Sequence, residues 1–363
     1  MDSSNSAFSI CGIPVAAGET REIYLKVSES FLSGGIQIPV TVIRGQRSGP
    51  TIFVIAAIHG DEINGTDIVR RLIFDIAHEG LSGTVIAIPV VNIPGFLGQS
   101  RYLPYHRDLN RFFPGMKGGH NADRIAYRIF NEIIRKCDFG IDLHTAASGR
   151  SNLPHVRGDM SQPEVRNLAR AFGATILVDQ TGVKGSLRRE ATEAGIPTIL
   201  FEAGETGRFS RKISLIGLRG VLSVLAEKGM WPAGGRTADS GSHKSTGTNK
   251  VTKPPFQVIV KASDWIRAEK GGILDLIVKP GDLIYQGDLV GSILNPFGKT
   301  VTQIRAPVTG IIIGVTTAPL TIPGTAIAHV ARLKKTLSLV ERSMKKTRKE
   351  KSKRRRKSQK QEK

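Results

Sequence analysis

The sequence predicts an α/β protein whose mainly parallel, mixed sheet carries helices on both faces, followed by a small all-β sandwich domain. Apolar runs of strand length alternate with helical patterns from about residue 50 to residue 230, and this alternation is typical of a layered α/β domain. Residues 232–256 are rich in Gly, Ser, Thr and Pro, which indicates a flexible linker. Residues 257–331 contain short β-type runs arranged in two similar halves.

Five apolar runs are the candidate strands of the α/β domain. They read TIFVIAAI (51–58), GTVIAIPVV (83–91), FGIDLH (139–144), ATILVD (174–179) and PTILFE (197–202). Between them, Ile125, Ile129 and Ile133 recur at helical spacing behind Asn121, a candidate N-cap. A second pattern, PEVRNLARAFG, ends on Gly173, as helices commonly do. Helices are therefore expected to cover the sheet.

The two halves of residues 257–331 predict a β-sandwich built by internal duplication. They read AEKGGILDLIVKPGDLIYQGDLVGSI and APVTGIIIGVTTAPLTIPGTAIAHV, and they resemble the biotinyl/lipoyl-like fold. In carrier domains of that fold a modified lysine precedes an Ala-Pro pair, and Lys299 has this spacing before Ala306 and Pro307. Its neighbours, NPFGKTV, differ from the carrier context, so modification is not expected. A structural or lid module is the expectation.

Most of the net charge of +21 lies at the C-terminus. From Arg332 to Lys363 there are sixteen Lys or Arg against three Glu, a net +13 that leaves +8 for the preceding residues. Residues 332–363 are therefore expected to form a basic disordered tail. One expectation for this tail is solubility, and the other is non-specific contact with a polyanion such as nucleic acid.

Composition also indicates the cellular location and limits the ligand types that a metal site can use. No run of about 18 apolar residues occurs, so no membrane span is expected. The first residues lack the features of a secretory signal, which makes a cytoplasmic location the expectation. Cys11 and Cys137 are the only cysteines, too few for a disulfide framework or a thiolate metal cage. A metal site must therefore use nitrogen and oxygen ligands.

Two histidines and one glutamate follow the ends of apolar strands. His59 and Glu62 stand three residues apart just after TIFVIAAI, and His144 ends FGIDLH. Open α/β sheets bind ligands at the carboxyl ends of their strands, and two His with one Glu are the open three-ligand set of a catalytic zinc site. One Zn²⁺ per subunit is expected, with Asp61 and Asp142 as acceptors for the ligand imidazoles.

Acidic and basic residues near the same edge of the sheet are candidates for the general base and for substrate binding. Glu202 ends the last candidate strand and is the expected general base, with Glu205 in the following loop as its rival. A loop at residues 92–115, broken by Pro and Gly, indicates an anionic substrate, because its guanidinium groups can grip carboxylates and stabilise oxyanions. This loop carries Arg101, Arg107, Asn110 and Arg111.

Six motifs, in this order, resemble the succinylglutamate desuccinylase/aspartoacylase family, relatives of the zinc carboxypeptidases. The motifs are His-x-x-Glu, Asn-x-x-Gly, Arg, Asp-Leu-Asn-Arg, Asp-Leu-His and Phe-Glu-x-Gly, and the resemblance as a whole covers roughly residues 38–230. The resemblance implies a zinc carboxypeptidase-like fold with a β module behind the catalytic domain. It implies that His59, Glu62 and His144 bind zinc.

The resemblance also implies roles for residues around the metal. Glu202 is the general base and acid, and Arg101 polarises the scissile carbonyl. Asn110 and Arg111 hold the α-carboxylate of the substrate. Arg188 is an additional substrate-binding arginine, although its distance from Glu202 along the chain differs from that in aspartoacylase.

These observations predict a zinc-dependent amidohydrolase that removes an acyl group from an N-acyl amino acid or a similar small carboxylated amide. Residues 1–231 form the expected catalytic domain, which can assemble as a homo-oligomer. One alternative is a zinc carboxypeptidase-type peptidase, which needs an open groove instead of a cleft capped by residues 257–331. A further alternative, from a different class, is a basic nucleic-acid-binding protein with a relic metal site. His155 and Arg157 are additional candidates for the pocket.

Overall fold

The computed structural model of the chain describes residues 8–29, 35–232 and 254–361, without the side chains of residues 29, 348 and 351–361. The predicted linker at residues 232–256 falls largely on residues 233–253, which lie outside the described residues. The domain boundaries expected at residues 231 and 257 therefore stay predictions.

The described strands and helices follow the expected alternation of β and α elements. The strands are β1 (Ser9–Ile10), β2 (Ile13–Pro14), β3 (Glu19–Glu29), β4 (Gly35–Arg44), β5 (Arg47–Ala56), β6 (Ser82–Ile88), β7 (Phe139–His144), β8 (Arg150–Gly158), β9 (Ile176–Asp179), β10 (Thr198–Glu205), β11 (Val258–Val260), β12 (Ser263–Arg267), β13 (Gly272–Leu276), β14 (Leu283–Ile284), β15 (Leu289–Leu294), β16 (Thr300–Arg305), β17 (Gly310–Thr316), β18 (Leu320–Thr321) and β19 (Ala326–Arg332). The α-helices are α1 (Asn64–Asp75), α2 (Ile93–Leu97), α3 (Asn121–Glu132), α4 (Pro163–Phe172), α5 (Leu187–Glu193), α6 (Arg211–Glu227) and α7 (Leu337–Gln361). Short 3-10 helices occupy His78–Gly80, Pro104–His106, Leu109–Arg111 and Ile134–Lys136.

One large mixed sheet organises the molecule. Within the described residues its order is β12-β19-β17-β8-β10-β7-β5-β6-β4-β3, with β9, β11 and β14 paired at its side. Its centre is parallel, because β6, β5, β7 and β10 are parallel neighbours. Antiparallel β4 and β8 flank this centre. The predicted fold class is confirmed, and the five candidate strands correspond to β5, β6, β7, β9 and β10.

Helices cover both faces of the central sheet. Ile52 of β5 packs in one core cluster with α1, α4 and α6, whereas the next residue, Phe53, packs in a second cluster with α3 and α5. Successive strand side chains point to opposite faces, and here both faces are buried. For this reason the strands read as continuous apolar runs.

One of the two predicted helix ends differs in the structure. Asn121 is the first residue of α3, and the preceding His120 donates its backbone N–H to Asp123 Oδ2 at 3.1 Å. Asn121 is therefore not the N-cap. At the other predicted end, α4 stops before Gly173, whose φ of +85° is the left-handed conformation that glycine adopts most easily.

The all-β region is a two-layer sandwich with its own core. Its two repeated halves have the same order of elements, in which a two-residue strand stands between two longer strands. The first half is β13-β14-β15 and the second is β17-β18-β19. One layer is the sheet β16-β15-β13-β18, and the other contains β12, β19, β17 and β14. Val290, Ile312 and Ile327 are buried between the layers.

The second layer of the sandwich is continuous with the α/β sheet, which the expectation of a separate module did not include. β17 pairs antiparallel with β8, where Thr316 lies opposite Arg150 and Gly314 opposite Asn152. β11 also pairs with β9 of the α/β part. These pairings fix the sandwich beside β10, the strand that carries Glu202.

Helix α7 occupies residues for which a disordered tail was predicted. Val340 is fully buried, and Leu337 and Met344 pack with it in a cluster that includes β11 and β17. This apolar stripe anchors the start of α7, and the Lys, Arg, Glu and Gln residues that follow favour helix. The structure therefore differs from the predicted disorder, and contact with a polyanion stays a prediction. Within the described ranges, no helix has the length and apolarity needed to cross a bilayer.

Substitution of Gly140 in β7 tests how closely the central sheet is packed. A Cβ at Gly140 would lie 1.9 Å from Phe53 Cζ, in a region where Phe53 is fully buried. We expect Gly140→Ala to lower the free energy of unfolding by about 1–3 kcal/mol, the usual cost of overpacking, as measured by urea denaturation. The control Gly118→Ala, whose Cβ meets nothing within 4 Å, should change it by less than about 0.5 kcal/mol. Equal losses in the two variants would contradict this packing.

Candidate metal centre and adjoining cavity

Three neighbouring parallel strands bring the predicted site residues to one edge of the sheet. His59 follows the end of β5, His144 is the last residue of β7, and Glu202 lies in β10. The register places Glu202 opposite His144 and Ala56 of β5 opposite Leu143. The carboxyl ends of the strands therefore coincide, as the sequence predicted.

The Glu62 carboxylate lies between the two imidazoles. Its Oε1 is 2.7 Å from His59 Nδ1, and its Oε2 is 2.9 Å from His144 Nδ1. A tight turn supports this arrangement, because Glu62 donates its backbone N–H to the His59 carbonyl at 3.1 Å. Thr145 donates its backbone N–H to Glu62 Oε2 at 2.9 Å. One ligand atom from each of the three residues lies within 4.8 Å of the others, and all three residues are buried.

The outer nitrogens of both imidazoles contact carboxylates. His144 Nε2 lies 3.0 Å from Asp142 Oδ2, as predicted. His59 Nε2 lies 3.2 Å from Asp108 Oδ1, so the acceptor is Asp108 and not Asp61. Asp61 is next to Glu62 in the turn, and its Oδ1 is buried without a hydrogen-bond partner in the described residues.

This donor set fits a divalent metal ion. With both Nε2 atoms engaged by carboxylates, both Nδ1 atoms face Glu62, an arrangement that carboxylate–histidine pairs commonly give metal ligands. Burial alone would raise the pKa of Glu62, but His59 and His144 outweigh it and hold the pKa well below its usual value. Glu62 is therefore a carboxylate. Two imidazole nitrogens and one carboxylate form a set that zinc accepts.

Asp108 and Arg101 connect the metal set to the loop at residues 92–115. Arg101 Nη1 donates to Glu62 Oε1 at 3.1 Å, and Nη2 donates to Asp108 Oδ2 at 3.1 Å. Asp108 is partly buried, which alone would raise its pKa, but His59 and Arg101 hold the pKa well below its usual value. Arg111 Nη2 lies 3.8 Å from the same carboxylate. Arg101 is thereby fixed beside the metal set.

A cavity of about 250 Å³ adjoins these residues. Asn110 lines it with its amide nitrogen unengaged in the described residues, because its Oδ1 accepts the Leu187 backbone N–H at 2.8 Å. Arg111 and Arg188 also line the cavity. Arg188 has no acidic partner in the described part of the chain, and burial, with Arg157 nearby, lowers its pKa to about 10. The three predicted substrate residues therefore face one space.

Glu202 lines the same cavity, and Glu205 does not belong to its described lining. The pKa of Glu202 is raised above its usual value, chiefly by burial. The nearby Arg157 guanidinium lowers the pKa, whereas the negative charge of Glu62 raises it further. Arg157 Nη2 lies 3.6 Å from Glu202 Oε2. Arg157 Nε donates to His155 Nε2 at 3.0 Å, so the fully buried His155 orients Arg157 and does not itself line the cavity. Glu202 is thus a buried carboxyl group at the cavity wall.

Sequence reasoning missed three residues of the site. Asp108 stands in the Asp-Leu-Asn-Arg motif, and that motif is the signal that could have identified it. Arg150 and Trp265 both line the cavity, although Trp265 belongs to β12 of the sandwich. Arg107, by contrast, lies outside the described lining, with its guanidinium over the Phe112 ring.

Comparisons with known proteins agree with this fold and geometry. The sequence model of the succinylglutamate desuccinylase/aspartoacylase catalytic domain matches residues 48–228. A relative, the N-alpha-acetyl-L-2,4-diaminobutyric acid deacetylase of Halomonas elongata, is 26% identical over 292 residues, which cover 77% of this chain and 81% of the relative.

Solved structures show the same architecture. The succinylglutamate desuccinylase/aspartoacylase of Rhodobacter sphaeroides has a TM-score of 0.73 at 26% identity, covering 87% of this chain and 95% of that chain. The product-bound ectoine utilization protein EutE (DoeB) of Ruegeria pomeroyi has a TM-score of 0.75 at 22% identity, covering 91% and 100%; this second likeness concerns the fold alone. By its catalytic domain, the chain belongs to the succinylglutamate desuccinylase/aspartoacylase family.

Proposed function

We propose that the protein is a zinc-dependent amidohydrolase that removes an acyl group from an N-acyl amino acid or a similar small carboxylated amide. One observation carries the proposal: His59, Glu62 and His144 converge, and the cavity beside them is lined by Glu202 and Arg101. The deacetylase named for the Halomonas elongata relative acts on a bond of the same kind.

In this proposal His59, Glu62 and His144 hold one zinc ion. Their nitrogen and oxygen donors suit zinc, and Asp108 and Asp142 orient the two imidazoles. When bound, zinc supplies Lewis acidity and lowers the pKa of a water ligand toward neutrality.

The chain's own residues move the protons and stabilise the developing charge. Glu202 accepts a proton from the attacking water and later returns it to the leaving amine, since burial makes its carboxylate a stronger base than an exposed one. Arg101 donates to the carbonyl oxygen as negative charge develops there. Arg157, fixed by His155, keeps Glu202 directed at the cavity.

Asn110 and Arg111 bind the α-carboxylate of the substrate. The amide nitrogen of Asn110 is available for this, because the opposite oxygen is held by Leu187. Arg188 adds a buried guanidinium without a carboxylate partner among the described residues, and such a group attracts an anion.

A carboxypeptidase-type peptidase is the nearest alternative. The small cavity favours the amidohydrolase, because Trp265 of the sandwich forms part of its wall and a peptide needs an open groove. A nucleic-acid-binding protein with a relic metal site ranks lower: the dense basic charge lies in α7, whereas α7 contributes no described residue to the cavity. A cytoplasmic location and a homo-oligomer stay predictions.

A substrate panel tests the proposed activity. We expect the zinc-loaded protein to hydrolyse N-acetyl or N-succinyl amino acids and to leave short peptides largely intact, because the cavity measures only about 250 Å³ and Trp265 forms part of its wall. Release of the free amino acid is measured by a primary-amine assay. Hydrolysis of the peptides without hydrolysis of any N-acyl amino acid would contradict the proposal and support the peptidase alternative.

Glu202→Gln tests the assignment of the base. The amide is nearly isosteric but cannot accept the proton, so we expect kcat to fall about 10²–10⁴-fold while the metal content measured by elemental analysis stays at the wild-type value. The matched variant Glu205→Gln should keep most of the activity. The opposite pattern would assign proton transfer to Glu205.

Asp108→Asn tests how the His59 imidazole is held. We expect it to weaken zinc binding roughly 10–100-fold, the usual effect of losing a carboxylate behind a ligand histidine, in competition titrations with a chelator. His144→Ala should lose the ion altogether. Asp275→Asn, on β13 in the sandwich, is the control, and unchanged affinity in Asp108→Asn would remove Asp108 from this role.

A further inference from the structure

Helix α7 has an anchored start and a strongly basic remainder. Val340 is fully buried, and Met344 packs in the same cluster, which includes residues of β11 and β17. Tyr285 Oη donates to Glu341 Oε1 at 2.6 Å and adds a polar contact at this end of the helix. These contacts attach α7 to the rest of the protein through about two turns. Residues 345–361, named here the basic segment, continue the same helix.

The basic segment carries a high charge and no apolar residue. It contains eleven Lys or Arg against one Glu, a net +10. Lys345, Lys346 and Lys349 are exposed, and none of the three forms an ion pair within the described residues. Lys345 and Lys349 stand four positions apart, a spacing at which like charges destabilise a helix. A bound polyanion would remove this repulsion and leave the favourable helix propensity of Lys and Arg.

The density of charge in the basic segment approaches that of a DNA duplex. The segment spans about 25 Å at 1.5 Å per residue, so it carries one net positive charge per about 2.5 Å. Duplex DNA carries one negative charge per about 1.7 Å of its axis, and cations that neutralise its phosphates release condensed counterions. A small anion has no such counterion atmosphere. The segment therefore favours a polymer of phosphates.

The shape of the basic segment favours duplex DNA among polyanions. With 3.6 residues per turn, the basic residues of the sequence occupy positions on every side of the helix. The major groove of DNA is about 12 Å wide and admits an α-helix, with phosphates along both walls. The major groove of A-form RNA is too narrow for side chains to read. A helix that lies on a membrane needs an apolar face, which this segment lacks.

We propose that the basic segment of α7 binds the phosphate backbone of double-stranded DNA from the major groove, without sequence specificity. The segment contains no aromatic residue that could stack on a base, and contacts to phosphates carry no sequence information directly. α7 contributes no described residue to the catalytic cavity. The inference therefore goes beyond the proposed amidohydrolase function and does not depend on it.

Binding to a fluorescein-labelled DNA duplex of about two helical turns tests this proposal with the zinc-loaded full-length protein. Fluorescence anisotropy gives the Kd at KCl concentrations between about 50 and about 200 mM. We expect a Kd of about 1 μM or lower at the lowest salt. The logarithm of the association constant should fall linearly with that of the salt concentration, with a slope of about −5 or steeper, as for roughly six phosphate contacts or more. Two unrelated duplex sequences should bind equally.

Two charge-matched variants locate the DNA-binding surface. The test variant carries Lys353→Gln, Arg354→Gln, Arg355→Gln, Arg356→Gln and Lys357→Gln, and Gln has nearly the helix propensity of Lys and Arg. The control changes five exposed lysines outside α7: Lys117→Gln, Lys212→Gln, Lys270→Gln, Lys279→Gln and Lys299→Gln. We expect the test variant to bind at least about tenfold more weakly, with a flatter salt slope. The control should stay within about threefold of the wild type, because distant charges are screened.

Four outcomes would overturn the proposal. They are undetectable DNA binding by the wild type at about 50 mM KCl, equal losses in the two variants, equal or tighter binding of an RNA duplex, and tighter binding of phosphatidylserine vesicles than of DNA. Equal losses would mean that net charge alone attracts DNA. Hydrolysis of N-acyl amino acids should be the same in both variants as in the wild type, so the DNA measurements and the substrate panel can fail separately.

Discussion

The contact of one carboxylate with two imidazoles is the constraint on which the site depends. Glu62 reaches His59 through a tight turn and His144 across two neighbouring parallel strands. A buried carboxylate is costly unless it is paired and hydrogen-bonded. The fold meets this requirement with the two imidazoles, the Thr145 N–H and Arg101. The strand register of β5 and β7 is therefore inseparable from the chemistry at their ends.

The same electrostatic requirement extends outward from the metal set. Asp108 and Asp142 contact the far nitrogens of the ligand imidazoles, and Asp108 also holds Arg101 beside Glu62. His155, kept neutral by its burial, accepts from Arg157 and so directs that guanidinium to Glu202. Each charged group in this network has a partner that orients it. Arg188 lacks an acidic partner in the described residues, and we assign it, together with Asn110 and Arg111, to anionic groups of the substrate.

The sequence was informative where side chains follow a strand directly. His59, His144 and Glu202 were predictable because apolar runs marked β5, β7 and β10, and parallel strands of one sheet end together. Asp61 was placed wrongly because the spacing in the chain does not fix the direction of a side chain in a turn. Asp108 reaches His59 from a loop whose conformation has no periodic signal.

Long-range pairing accounts for the rest of what sequence reasoning missed. Trp265 reaches the cavity because β12, β19 and β17 extend the sheet from β8, and no local pattern reports pairing between segments so far apart in the chain. The start of α7 depends likewise on burial of Val340 against distant strands. The high net charge of this segment predicted disorder. Composition alone does not reveal which of its apolar residues pack against other parts of the protein.

The most direct test of the central claim is X-ray absorption spectroscopy at the zinc edge, combined with metal stoichiometry, on the wild type and on His59→Ala, Glu62→Ala and His144→Ala. The account predicts one zinc ion per chain, two imidazole ligands with carboxylate oxygen in the wild-type spectrum, and loss of the ion in all three variants. A wild-type protein that retains no zinc, or variants that keep the ion with an unchanged spectrum, would contradict it.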